Sequence, residues 1–277
     1  MAVRKLKKGP QRAVDLVPRH RLEHEIEVPP EVPPEEVSGH VTMSRALAHS
    51  AHGLTLNEAR VMMLATRCID PRKSPYAYAR DGYVKVRVSA DEFAQMMDMQ
   101  NEGGRTPTAA YEGLKAACDQ LMNRRATWRE GPKITKLAWV WKAVYHEKEA
   151  WAEVCFSPDM TPHLFMLGSK FVRYRLELAR GLRSSYSVNL LRLLMSQKDT
   201  GFLAITLDDF RHVMEVPTSY QFKDIKRRVL TVAIKELEKK ADLLIQVQEI
   251  KMGRSIHSLR FTFVPAALEN PQQSLPI

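Results

Sequence analysis

Four cations stand close together at Lys223, Lys226, Arg227 and Arg228, and two more, Lys251 and Arg254, flank Gly253 downstream. Such groups suit phosphate oxygens and guanine edges, because Arg offers two parallel N–H donors and Lys a mobile point charge. The same stretch has a catalytic reading. Tyr220 precedes Lys223 in a Tyr-x-x-Lys spacing, as in rolling-circle initiators that nick DNA with a tyrosine. That chemistry takes a metal held by clustered histidines, yet no His-apolar-His element occurs in the sequence, and His49, His52 and His163 read as structural or exposed. A phosphate-cradling nucleotide loop is excluded because no Gly-Lys dipeptide occurs. His146-Glu147 cannot open a zinc-protease helix, since position 150 is Ala. Cys68, Cys118 and Cys155 are odd in number and far apart, which predicts buried reduced thiols and neither a disulfide framework nor a zinc site. No catalytic residue, metal or cofactor is expected.

The cations need elements to position them, and the charge distribution locates those elements. The chain has 277 residues and a net charge of +10. Residues 1–40 hold 7 basic and 7 acidic groups, residues 41–165 hold 17 and 14, and residues 166–265 hold 18 and 10. The excess lies in the second half, which a polyanion would meet first. With 44% hydrophobic residues the chain can bury substantial cores. It has no apolar run of the ~18 residues that would span a bilayer, and its basic start lacks the apolar stretch of a secretory signal. A cytoplasmic protein with no membrane partner is expected. Residues 1–40 carry Val28-Pro-Pro-Glu-Val-Pro-Pro-Glu-Glu36 and read as a disordered Pro/Glu-rich tail; residues 266–277 read as a flexible one.

An internal repeat supplies the elements. Residues 88–99 align without gaps on 205–216, matching Phe93 with Phe210 and Met97 with Met214. Ser89 lies three residues before Glu92 and Thr206 three before Asp209, a spacing that caps a short helix entered from a strand. Leu114, Ala117, Cys118 and Leu121 then correspond to Leu230, Ala233, Ile234 and Leu237, the buried stripe of a second helix. Gly103, Gly104 and Pro107 in one copy and Pro217 in the other supply the turn.

Alternating segments follow each helix pair. Leu137, Trp139, Trp141 and Ala143 are expected on one face of a strand, with Trp151 to Phe156 returning. Leu243 to Ile250 and Ile256 to Val264 form the second hairpin, with Lys251-Met-Gly-Arg-Ser255 as a basic tip. An upstream helix stands before each copy, through Leu56, Ala59, Met63 and Leu64 and through Tyr186, Leu190, Leu193 and Leu194. Helix, strand, two helices and hairpin is winged-helix order. The expected fold is therefore α+β, two tandem winged-helix domains related by an internal repeat, at 41–162 and 163–265.

In such a domain the second helix enters the major groove and the wing reaches phosphates or the minor groove. Phe222, Ile225, Val229, Ala233 and Leu237 must face inward, which turns Lys223, Lys226 and Arg227 outward. Arg227 is expected on a base or phosphate, Lys223 and Lys226 on phosphates, and Lys251 and Arg254 on the wing, with Arg228 beside them. In the first domain Arg105, Thr106, Thr108 and Lys115 are DNA-binding candidates. Arg124, Arg125 and Arg129 could bind phosphate or serve their own helix end.

Phe156-Ser-Pro-Asp-Met160, Leu182-Arg-Ser-Ser-Tyr-Ser-Val188, Gly201 to Phe210, Phe222-Lys-Asp-Ile-Lys-Arg-Arg-Val229, Ala233-Ile-Lys-Glu-Leu237 and Gly253-Arg254 together resemble plasmid replication initiators that bind iterons. The resemblance covers about 40–265. It departs at Asn189 and Leu191, where that family usually has a basic and an aromatic residue. It implies that the chain binds iteron direct repeats in double-stranded origin DNA as a monomer and represses its own gene as a dimer on an operator inverted repeat. It further implies strand opening, recruitment of a host initiator and replicative helicase, and no catalysis by the chain itself. The first domain would then serve dimerisation and DNA-backbone contacts and the second the main binding. A winged-helix transcriptional repressor, needing the same groove contacts, is the nearest alternative.

Overall fold

The computed structural model describes residues 39–70, 75, 79–80, 83–98, 107–165, 167 and 171–265. Arg105, Thr106, the Gly103-Gly104 turn, residues 1–38 of the expected N-terminal tail and all of the C-terminal one lie outside the described residues; His40, expected in the tail, opens the first strand.

The chain opens with β1 (His40–Ser44), α1 (Arg45–Ala48) and α2 (Leu56–Arg67), which packs Val61, Met63 and Leu64 into the core. There follow β2 (Ala79–Arg80), β3 (Tyr83–Ser89), α3 (Ala90–Met96), α4 (Pro107–Leu121), β4 (Arg125–Glu130), β5 (Lys133–Ala138), β6 (Val140–His146) and β7 (Trp151–Phe156). After a short 3-10 turn come α5 (Thr161–Leu164), β8 (Phe171–Arg175), α6 (Ser185–Met195), β9 (Phe202–Thr206) and α7 (Leu207–Val213). One long helical segment then runs through α8 (Phe222–Ile225), a π-helical turn (Lys226–Leu230) and α9 (Thr231–Lys240), before β10 (Leu243–Met252) and β11 (Ser255–Pro265) close the described chain.

The repeat is visible in the sheets. β11 lies between β9 and β10, and β7 lies between β3 and β6, all antiparallel. Thus β3 corresponds to β9, β6 to β10 and β7 to β11, with helices between them in the same order. Both helix starts are capped as expected. Ser89 Oγ accepts from Glu92 N at 3.2 Å and Glu92 accepts from Ser89 N at 3.1 Å; Thr206 Oγ1 accepts from Asp209 N at 3.1 Å and donates to Asp209 at 2.7 Å. Both short helices also end on a left-handed acidic residue at the same repeat position, Asp98 (φ 58°) and Glu215 (φ 53°). A non-glycine residue there costs about 1–2 kcal/mol, so each is held by something further.

What holds them is the other half of the molecule. Glu215 Oε1 accepts from His52 N at 2.8 Å and Gly53 N at 2.9 Å, and Asp98 Oδ2 accepts from Lys240 Nζ at 3.3 Å. A single hydrophobic cluster runs through both repeats, with Phe93 and Phe210 at its matched centres. Helix α6, capped by Ser184, is buried along most of its length between α2 and α9.

Three features depart from the expected organisation. First, β1 pairs antiparallel with β8, His40 opposite Arg175, and so joins residues on the two sides of 162/163. Second, β4 and β5 form an extra hairpin around Gly131, bridged to Ala51 through Thr127. Third, Leu137, Trp139, Trp141 and Ala143 do not share one face. β5 ends at Ala138, and the ladder is irregular between Val140 and Lys142. Trp139 turns into the core and donates from Nε1 to His52 O at 3.1 Å, while Trp141 is 45% exposed. A buried indole needs an acceptor for its N–H, and the His52 carbonyl provides one where regular pairing would not.

Candidate nucleic-acid interface

The long helical segment of the second repeat starts at Phe222, where Asp224 Oδ2 accepts from Gln221 N at 3.2 Å. Its wide turn has a local cause. The Thr231 N–H reaches back five residues to Lys226 O, and the Thr231 hydroxyl donates to the same carbonyl at 2.7 Å. This extra residue per turn places both Val229 and Leu230 in the core, beside Ile225, Ala233 and Leu237. Phe222 packs against that core while half-exposed. The outward side is left to Lys223, Lys226, Arg227 and Arg228, all exposed.

These four are not equivalent. Lys226 Nζ lies 2.7 Å from Glu249 Oε1 on β10, tying the helix to the wing strand. Arg227 and Arg228 lie 3.7 and 3.9 Å from Asp224 Oδ1. Arg228 also stands over the Tyr220 ring, its carbon 5.2 Å from the centroid, and donates to the Tyr220 hydroxyl at 3.4 Å. Lys223 makes no ion pair among the described residues. In the wing, β10 and β11 turn at Gly253 (φ 64°), with Lys251, Met252 and Arg254 exposed around it. Arg211, which sequence reasoning passed over, donates to Tyr220 O at 2.8 Å and fixes the turn that leads into the helix.

The first repeat offers less. Thr108 is exposed near the start of α4, but Lys115 is turned toward its own wing, 3.3 Å from Glu147 Oε1 and facing the Tyr111 and Tyr145 rings. Arg124 clamps the Glu58 carboxylate from Nε and Nη2 at 2.8 and 3.0 Å, and Arg125 donates to Met122 O and Arg124 O at the end of α4. Both thus serve the protein's own structure. Arg129 stays exposed on β4.

The three histidines singled out from the sequence make intramolecular hydrogen bonds. His49 Nε2 meets Ser196 Oγ at 2.8 Å, His163 Nδ1 meets Ser44 Oγ at 2.9 Å, and buried His52 bonds Leu47 O at 2.9 Å. All three cysteines are free; burial pushes the Cys68 thiol up to about 11 and Cys118 to about 12. Among the described residues no three of His, Cys, Asp and Glu converge as a metal set, and no helix is long and apolar enough to cross a membrane.

A helix carrying a row of outward cations, set beside a hairpin with a cationic tip and repeated in architecture, defines a tandem winged-helix protein of the DNA-binding kind. Family comparison agrees: residues 40–195 match the model described as Initiator Replication protein, WH1, and residues 206–263 that described as Initiator Rep protein, WH2. The chain belongs to this replication initiator family. The first match runs through α6, which therefore groups with the first domain in that division.

Among solved structures, the chain is similar to a Pi initiator protein crystallised with iteron DNA, at 22% identity and a TM-score of 0.68, over 83% of this chain and 98% of that one. A second similarity is to the WH1 domain of the MSBI1.176 replication protein isolated from a multiple sclerosis patient, at 22% identity and a TM-score of 0.26, over 40% of this chain and 76% of that one.

Proposed function

We propose that this chain initiates plasmid replication by binding iteron direct repeats in double-stranded origin DNA as a monomer, in the bacterial cytoplasm. Strand opening, recruitment of the host initiator and replicative helicase, and autorepression by a dimer on an inverted repeat complete the reading, with no catalytic step by the chain. The observation that carries it is the cationic face of residues 223–228 beside the basic wing tip, in a chain that has both initiator domains. The Pi initiator, with the same fold, was crystallised on iteron DNA, which supports the choice of ligand.

Contacts to phosphate supply most of the affinity and release counterions, so binding must fall steeply with salt. The test is a salt-titrated mobility shift on DNA flanking the gene, with footprinting and a magnesium-dependent nicking control. Phased protection of several direct repeats without cleavage is the expected result. One protected palindrome would instead indicate a repressor, and a nick joined to Tyr220 a rolling-circle enzyme. Arg227→Ala is expected to weaken specific binding by about 1–3 kcal/mol, read from the same titration; an unchanged affinity would remove Arg227 from the interface.

A further inference from the structure

Away from the cationic face, α6 carries a charge with no obvious use. Arg192 is 2% exposed, its Nη2 donates to Ser50 O at 3.1 Å, and its Nε has no hydrogen-bond partner. No carboxylate lies within ion-pair distance of it among the described residues. Of the groups whose charge favours the guanidinium, Tyr174 comes first and Glu215 second, and the Glu215 Oε1 is engaged by two backbone N–H groups. A buried cation normally has a partner of opposite charge, because desolvation of an isolated ion costs several kcal/mol. Arg192 remains charged near neutrality even so, since burial lowers its pKa only to about 10.

Arg192 lines a small cavity of about 30 Å³, within the region that matches the first family model. Met43, Leu47, Met62, Met63 and Val188 make its wall apolar. Two neutral polar side chains, Asn189 and Tyr174, line it together with Arg192. The surroundings are electropositive. Burial and then the Arg192 charge hold His52 well below its ordinary pKa, and His49 is lowered by burial, Arg192 and Arg45 in that order.

A volume of this size exceeds the ~10–15 Å³ that one water needs and is far below that of a nucleotide or peptide. Water would satisfy donors but not the charge. We propose that Arg192, with Asn189 and Tyr174, binds one small monovalent anion, a halide or a short carboxylate, in this cavity. The anion accepts from the guanidinium and from the amide and phenol donors. It thereby fastens α6 and β8 to the segment around Ser50.

Bromide tests this directly in the full chain. Crystals grown in sodium bromide are expected to show anomalous density beside the Arg192 guanidinium. In solution, replacing gluconate by bromide at constant ionic strength is expected to raise the melting temperature by about 4 °C once bromide exceeds its dissociation constant tenfold. Arg192→Met should lose that dependence, and Tyr174→Phe, which keeps the ring, should diminish it. Ordered water at the guanidinium with no anomalous peak, or equal melting in both salts, would overturn the proposal. If Arg192→Met does not fold, the bromide density decides alone.

Discussion

Single side chains of the same type do different work here, according to what they touch. Lys223, Lys251 and Arg254 stand in solvent with no ion pair among the described residues, whereas Lys226 is held by Glu249 and Lys115 by Glu147. An engaged cation gains less by meeting a phosphate, because its carboxylate partner must first be displaced or share the charge. Glu249→Gln is therefore expected to strengthen DNA binding and to steepen the dependence of log K on log salt by up to about one unit. A salt-titrated binding series on the variant checks this.

His52 sets a pH limit on folding. Burial and Arg192 depress its folded-state pKa well below 6.5, so the unfolded chain binds the extra proton first. Its contribution is present above about pH 6.5 and is lost below it, at up to about 1.4 kcal/mol per pH unit. Denaturant titrations between pH 7.5 and 5.5 should show stability falling on acidification, and His52→Gln should flatten that fall. The row 223–228 was legible from sequence because its inward partners recur at helical spacing. The pairs Lys115–Glu147, Lys226–Glu249 and Arg124–Glu58 were not, since each joins residues whose approach is decided by tertiary packing.

At the scale of elements, the helix with the cationic face departs from regular α geometry at one turn. Thr231 spends both its N–H and its hydroxyl on Lys226 O, which stabilises the five-residue spacing. Thr231→Val keeps the shape and removes the hydroxyl, and is expected to cost about 1 kcal/mol in urea denaturation. Strand–helix–turn–helix–hairpin order could be read twice because capping residues and apolar stripes are local signals, as at Ser89, Thr206 and Leu114 to Leu121. The β1–β8 ladder left no such mark: its strands are five residues each, and its partners, such as His40 and Arg175, lie far apart in the sequence. The break at Trp139 was equally hidden. Alternation along 137–143 is a valid strand pattern, and both the core that receives the Trp139 ring and the His52 carbonyl that accepts its N–H are supplied by tertiary packing.

Across the whole molecule, the two repeats are joined through acids at one shared position. Glu215→Gln weakens acceptance from the His52 and Gly53 amides, and hydrogen exchange at those two amides is expected to accelerate while the β10–β11 ladder stays protected. Equal acceleration throughout would mean that Glu215 supports global stability instead. The acids also face matching targets. By the spacing that aligns Leu121 with Leu237, Lys240 corresponds to Arg124. Asp98 holds Lys240, while Arg124, bonded first to Glu58, also feels the charge of Glu215. Each repeat thus offers the other the same pair of groups, which is how an isologous dimer interface is made. Here the two partners are links of one polypeptide, so their effective concentration is set by the connecting chain, and dilution that would separate two subunits leaves these together.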